Sequence, residues 1–191
     1  MLASGLSARQ FDDYDYVGDG WTVVAINHGC LVAPTSWNHW VRANDYIGER
    51  PIVSTTQTEC KEYTKMLNKY GGYLKCGFSI TLCASYYALD TFDPDVIGYL
   101  GADMNYNPSP DGSTHIYGVG IDIKNNGVPD PDRMANLYGP KAGMSPEEYL
   151  THIYNRFVDV ATSDRSRRVV NLSTCEDSRL PYPKALPQTF S

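Results

Sequence analysis

The chain has 191 residues, 42% of them hydrophobic and 20% charged, with a formal net charge of -6. That length suits one domain with a core of its own, and the composition excludes a disordered chain. The acidic balance excludes tight non-specific binding to nucleic acid, and no apolar run approaches the ~20 residues needed to span a bilayer.

In chain order, the opening "LASGLSARQ" (2–10) is a Gly/Ser loop with almost no strand before it, so either the start codon lies upstream or the sheet begins with a stub. The N-terminus shows neither the basic start nor the apolar run of a signal peptide, which predicts a soluble, cytoplasmic protein with no membrane contact. "GWTVVAIN" (20–27) is a short β-branched run closed by Asn27, a buried strand. "NHWVRAND" (38–45) reads as a second strand and "RPIVST" (50–55) as a third. "TQTECKEYTKMLNKYGG" (56–72) carries Tyr63, Met66, Leu67 and Tyr70 at helical spacing and ends on two glycines, an amphipathic helix with a glycine stop.

"FSITLCASYYALDTF" (78–92) is apolar nearly all round, which predicts a buried helix leading into a strand at "DVIGYLGADM" (95–104). A capped amphipathic helix follows at 145–163, where Ser145, Pro146 and Glu148 mark the start and His152 faces away from the apolar stripe. The cluster "RSRR" (165–168) reads as a solvated approach to a last strand at "RRVVNLST" (167–174), and "LPYPKALP" (180–187) as a proline-punctuated coil. Continuous apolar strands alternating with helices predict a single α/β domain: a mostly parallel sheet covered by helices.

Such sheets bind ligands outside the carboxyl ends of their strands. Here those ends carry Ser4, Gly5, Ser7, Asn27, Asn44, Asp103, Asn171 and Ser173, mostly small or amide side chains suited to a ribose, a base or a phosphate. The five cysteines form no CxxC pair and the four histidines show no HExxH spacing, so neither a disulfide frame nor a dedicated metal site is predicted.

Taken in order, these pieces resemble the Rossmann-like glycosyltransferases that include bacterial sialyltransferases and their small phage and motility-accessory relatives. "LASGLSARQFDDYD" (2–15) resembles the family's nucleotide loop, "VVAINHG" (23–29) its second strand, and "VRANDY" (41–46) its third. "KCGFSITLCASYYALDTFDPDVIGYLGADMNYN" (75–107) resembles its Ser-Gly turn, helix and Gly-x-Asp strand. "STHIYG" (113–118) falls where the sialyltransferases carry a histidine motif, and "VVNLSTCEDSRLPYP" (169–183) looks like the closing strand of the phage relatives. The chain departs from the pattern at Leu6, where the family has proline, and at Lys75-Cys76-Gly77, which has no hydroxyl.

The resemblance implies transfer of a sugar from a nucleotide-sugar donor, without metal or other cofactor, to an acceptor that is a glycan, a protein or a modified DNA base. It implies that Ser4, Gly5, Ser7, Asn27, Asn44, Cys76, Gly77, Asn171 and Ser173 hold the donor. It also allows a homo-oligomer and a phage-encoded protein in a host cytoplasm. His115 is the expected general base, since an unperturbed imidazole titrates at about 6.5, and Tyr106 and Tyr117 the expected donors to the leaving phosphate. Asp103 fits two roles, a catalytic carboxylate or a cap accepting backbone N–H bonds. His115 likewise fits a turn, and Asn27 can bond its own loop. A second expectation is a catalytically inactive protein that binds a nucleotide or acts through protein contacts.

Overall fold

The computed structural model describes residues 1–43, 46, 48–60, 67–72, 79–105, 108–116, 118 and 146–190. Along them run strands β1 (Val24–Ile26), β2 (His39–Val41) and β3 (Thr58–Cys60), helix α1 (Ile80–Phe92), strand β4 (Val96–Tyr99), helix α2 (Pro146–Ala161) and strand β5 (Arg168–Asn171). Shorter 3-10 segments span Leu6–Asp13, Asn27–Leu31 and Pro187–Phe190.

β1, β2 and β3 pair in parallel, with Val24, His39 and Thr58 in one row and Ile26, Val41 and Cys60 in another. β4 and β5 form a second parallel pair, from Val96 opposite Arg168 to Tyr99 opposite Asn171. Leu2 joins the two, pairing in parallel with Ala25 on one side and Leu100 on the other. Its N–H donates to Val24 O at 2.9 Å, and its carbonyl accepts from Ile26 N at 2.8 Å. On the other side Leu100 N donates to Met1 O and Ala3 N to Leu100 O, both at 2.9 Å. The expected stub is therefore the middle of the ladder, which runs β3–β2–β1–Leu2–β4–β5.

Side chains alternate between two buried clusters, as pleated strands require. Val24, Ile26, Ile97, Tyr99 and Val169 join one cluster with α1 and with Ile153, Tyr154, Phe157 and Ala161 of α2. Ala25, Leu100, Val170 and Leu172 join the other with Ala8, Phe11, Trp37 and Trp40. Phe157 is wholly buried, edge-on to Tyr86 with ring centroids 5.0 Å apart. Removing such a ring from water contributes about 2–3 kcal/mol. α1 ends where Asp93 turns left-handed (φ 46°) before Pro94, which cannot continue a helix. Mixed α/β architecture with short parallel strands thus agrees with the sequence pattern. The cover is uneven, though: on the Leu100 face the described helical segments are 3-10 turns, not α-helices. Among the described residues no helix is long and apolar enough to cross a membrane.

Two expectations need correction. The third strand is Thr58–Cys60, not 50–55, so the predicted helix at 56–72 begins later. Ile52 is 94% exposed, whereas Glu59 meets Arg42 across the ladder at 3.0 Å. Edge pairing decided the strand, and the β-branched run did not. Residues 61–66 lie outside the described set; 67–69 are helical, and Gly71 and Gly72 take positive φ as the glycine stop requires.

The basic cluster is not wholly solvated. The Arg167 side chain is 4% exposed. It donates to Pro94 O (3.1 Å) and Ala161 O (2.6 Å) and pairs with Asp93 and Asp164.

The tail is irregular over 180–186, as the coil reading expects, and it is docked on β5. Asn171 N donates to Pro183 O and Ala185 N to Asn171 O, at 2.9 and 3.0 Å, while Leu180, Tyr182 and Pro187 are buried. His152 is exposed, as expected. Ser145, and the side chains of Tyr149 and Leu150, lie outside the described residues.

Candidate functional site

Because the strands are parallel, Leu2, β1, β4 and β5 all present their carboxyl ends to one rim. At that rim the chain leaves Leu2 through Ser4 and Gly5 into the 3-10 segment Leu6–Asp13, and leaves Tyr99 through Gly101 to Asp103. These two loops are locked together. Gly5 N donates to Gly101 O at 2.7 Å, and Gly101 N donates to Ser7 Oγ at 3.0 Å. Ser7 Oγ in turn donates to Asp103 Oδ1 at 2.5 Å, and Ser7 N to Asp103 Oδ2 at 2.9 Å. Ser7 and Asp103 are 4% and 5% exposed.

The sequence explains why the loops can approach so closely. A Cβ on Gly5 would lie 2.6 Å from Gly101 O and 2.7 Å from Asp103 Oδ2. Gly101 has φ +73°, a conformation costly for other residues, and a Cβ there would meet Ala3 O at 2.5 Å. The outcome bears on the two roles open to Asp103. Its carboxylate caps the first turn of Leu6–Asp13 from a distant strand, with an anion at the positive end of the segment. The N–H groups of Gly5 and Ser7, which the resemblance assigns to the donor, are both taken within the chain.

His115 is brought to the same place. Its backbone bridges Gly5 in antiparallel fashion, and Ile116 N donates to Ser4 O at 3.0 Å. A tight turn holds the segment: His115 N donates to Gly118 O at 2.9 Å, Gly118 N returns a bond to His115 O at 3.1 Å, and Gly118 has φ +103°. The imidazole is half-buried, and Nδ1 lies 3.0 Å from the hydroxyl of Thr114. Thr114 is itself buried. It was not among the residues singled out from the sequence, and its one signal there was adjacency to His115.

Asn27 ends β1 in a left-handed conformation (φ 48°), as an asparagine can. Its Oδ1 accepts from Ala43 N at 2.9 Å and its carbonyl from Trp40 Nε1 at 2.8 Å, so it bonds its own loop and the end of β2. The amide nitrogen is then the group it can present to a ligand. Cys30 donates to the same carbonyl at 3.3 Å, and burial pushes its thiol up to about 11, which excludes thiolate chemistry at neutral pH.

Asn171 and Ser173 are buried, 2% and 3% exposed. Asn171 Oδ1 accepts from Ser173 N at 2.9 Å, and Asn171 Nδ2 donates to Ser178 Oγ at 3.0 Å. Ser173 Oγ accepts from Cys175 N at 3.0 Å. These bonds build the turn after β5. Asn44, Cys76, Gly77, Tyr106 and Tyr117 lie outside the described residues. The rim therefore brings together Ser4, Gly5, Ser7, Asp103 and His115.

No protein-family model, no curated protein and no solved structure matches this chain.

Proposed function

We propose that the chain is a nucleotide-sugar-dependent transferase on a Rossmann-like sheet, working without a metal and with His115 as general base. The observation that carries this reading is the pairing of His115 with Gly5 at the end of the Leu2 strand. There the ladder order reverses, running toward β3 on one side and β5 on the other. Crevices at such switch points are where parallel α/β sheets bind nucleotides.

In the proposed reaction an acceptor hydroxyl attacks the anomeric carbon of the donor sugar. The new C–O bond forms as the bond to the donor phosphate breaks, and that electron pair leaves with the nucleotide. The hydroxyl proton passes to His115. With Nδ1 held by Thr114, we assign the transfer to Nε2. The capped turn at Ser7 places an acidic group against the strand end, so the leaving phosphate belongs on the His115 side of the rim. Tyr106 and Tyr117 are its proposed donors, and Asn27 and Ser4 the proposed contacts to base or ribose.

The test is nucleotide release from a panel of uridine, guanosine and cytidine diphospho- or monophospho-sugars. One donor should be consumed, and His115→Ala should slow that release about 100-fold or more with nucleotide affinity within threefold of the parent. No donor bound, hydrolysed or transferred would end the proposal. Binding without turnover is the second reading, favoured by the engagement of Gly5 N and Ser7 N inside the chain. Calorimetry showing nucleotide affinity in a protein that releases nothing would select it.

A further inference from the structure

We infer that Asp103 is the positioning residue for His115, which it holds in place without touching the substrate. The inference rests on the reading of His115 as the proton acceptor, but the geometry behind it is independent of any donor. His115 is not attached to the sheet through a regular strand. Its segment leans on the Ser4–Gly5 turn, through the Ile116 N–H to Ser4 O bond and the bridge between Gly5 and His115.

That turn is in turn fixed by one closed ring of bonds. Asp103 receives the N–H and the hydroxyl of Ser7, the same hydroxyl receives Gly101 N, and Gly101 O receives Gly5 N. Asp103 O also accepts from Arg179 N at 2.8 Å, which anchors the carboxylate's own backbone to the loop after β5. Each member is buried or sterically committed: Ser7 and Asp103 are out of water, and Gly5 has no room for a side chain. Two of these four bonds are charge-assisted, and the ring is stiff because a break at Ser7 or Asp103 would leave a buried polar group unmatched. The carboxylate is the element that makes the ring close, since it alone accepts two bonds from one residue. An amide at the same position keeps only one acceptor, so with its oxygen on Ser7 N the Ser7 hydroxyl proton loses its acceptor and the ring is weakened.

The experiment uses the full chain labelled with 15N-histidine, together with amide exchange, and does not depend on turnover. In Asp103→Asn the ring-nitrogen shifts of His115 should change, as its bond to Thr114 loosens. The Ile116 amide should exchange at least tenfold faster, with Val169 and Val170 in β5 unchanged. Arg167→Met, which weakens the opposite rim, should leave His115 and Ile116 as they are. If Asp103→Asn does not fold, Ser7→Ala decides: it removes the hydroxyl shared by Asp103 and Gly101 and should bring the same changes, at least as large. Unaltered His115 shifts and Ile116 exchange in whichever variant folds overturn the inference. Changed shifts in a protein that consumes no donor uphold it and remove only the transferase reading.

Discussion

Two buried charges sit at opposite rims of the same strands. At the amino-end rim Arg167 donates to Ala161 O at the last residue of α2 and to Pro94 O just past α1, so a cation meets two helix carboxyl ends. At the carboxyl-end rim Asp103 accepts from Ser7 N in the first turn of Leu6–Asp13, so an anion meets a helix amino end. Each charge complements the dipole it faces. The partners differ, however. Asp93 and Asp164 are 68% and 65% exposed, so the arginine's ion pairs open onto water. Asp103 is matched by a hydroxyl and an N–H that are themselves buried. One rim is fastened by pairs that solvent and salt screen; the other is fastened dry, beneath the residue proposed to move a proton.

The largest effect that separates the two is expected at the amino-end rim. Arg167→Met strips donors from one buried and one part-buried carbonyl, while the released aspartates rehydrate, a loss of about 3 kcal/mol. Urea denaturation should show the midpoint falling at constant slope. A change below about 1 kcal/mol would mean the cation contributes little beyond its packing.

Gly5→Ala comes next, at about 2 kcal/mol, because the added methyl collides with Gly101 O and the Asp103 carboxylate. Since Gly5 has φ -64°, the cost is steric and not conformational. Unlike the arginine variant, it should also accelerate exchange at Ile116. An alanine variant as stable as the parent would contradict the close approach.

The smallest effect is a pH dependence, again at the amino-end rim. His39 opens β2, with Nδ1 3.0 Å from Tyr87 Oη and its ring 4.7 Å from that of Phe92. Burial lowers its pKa below the ordinary 6.5, so the fold prefers the neutral ring. Its contribution is complete above that unfolded-state value and declines as pH falls below it toward the lowered folded value. Urea midpoints should drop between pH 7.5 and 5.5 in the parent and drop less in His39→Gln. Equal slopes would assign the dependence elsewhere. A further decline in strong acid is expected from Asp164, held below the ordinary carboxylate range by its bond to Arg167.

What the sequence made legible follows from what is local. β1, β4, β5, α1 and α2 announce themselves because burial on one or both sides writes continuous apolar runs or helical stripes. β3 was hidden, since Thr58 and Glu59 look like a helix start, and their strand state depends on β2 lying alongside. The same limit applies at the site. Asn27 and Asp103 were visible as polar groups at strand ends, and His115 as a histidine in the loop that follows. That Asp103 would cap a turn 96 residues away, or that Arg167 would reach an aspartate 74 residues away, is written in no local pattern. Asn171 and Ser173 show the same limit: their types suit a ligand, and nothing local announces the bonds they make in the turn after β5.

The pairing of the tail with Asn171 also bears on the outer margin of the sheet. The outer side of β5 would otherwise offer unmatched N–H and C=O groups on which a foreign strand could stack. The segment lying there contains Pro181, Pro183 and Pro187, none of which can donate, so it shields the margin without becoming a template itself. At Asn171 the place a foreign strand would take is already filled.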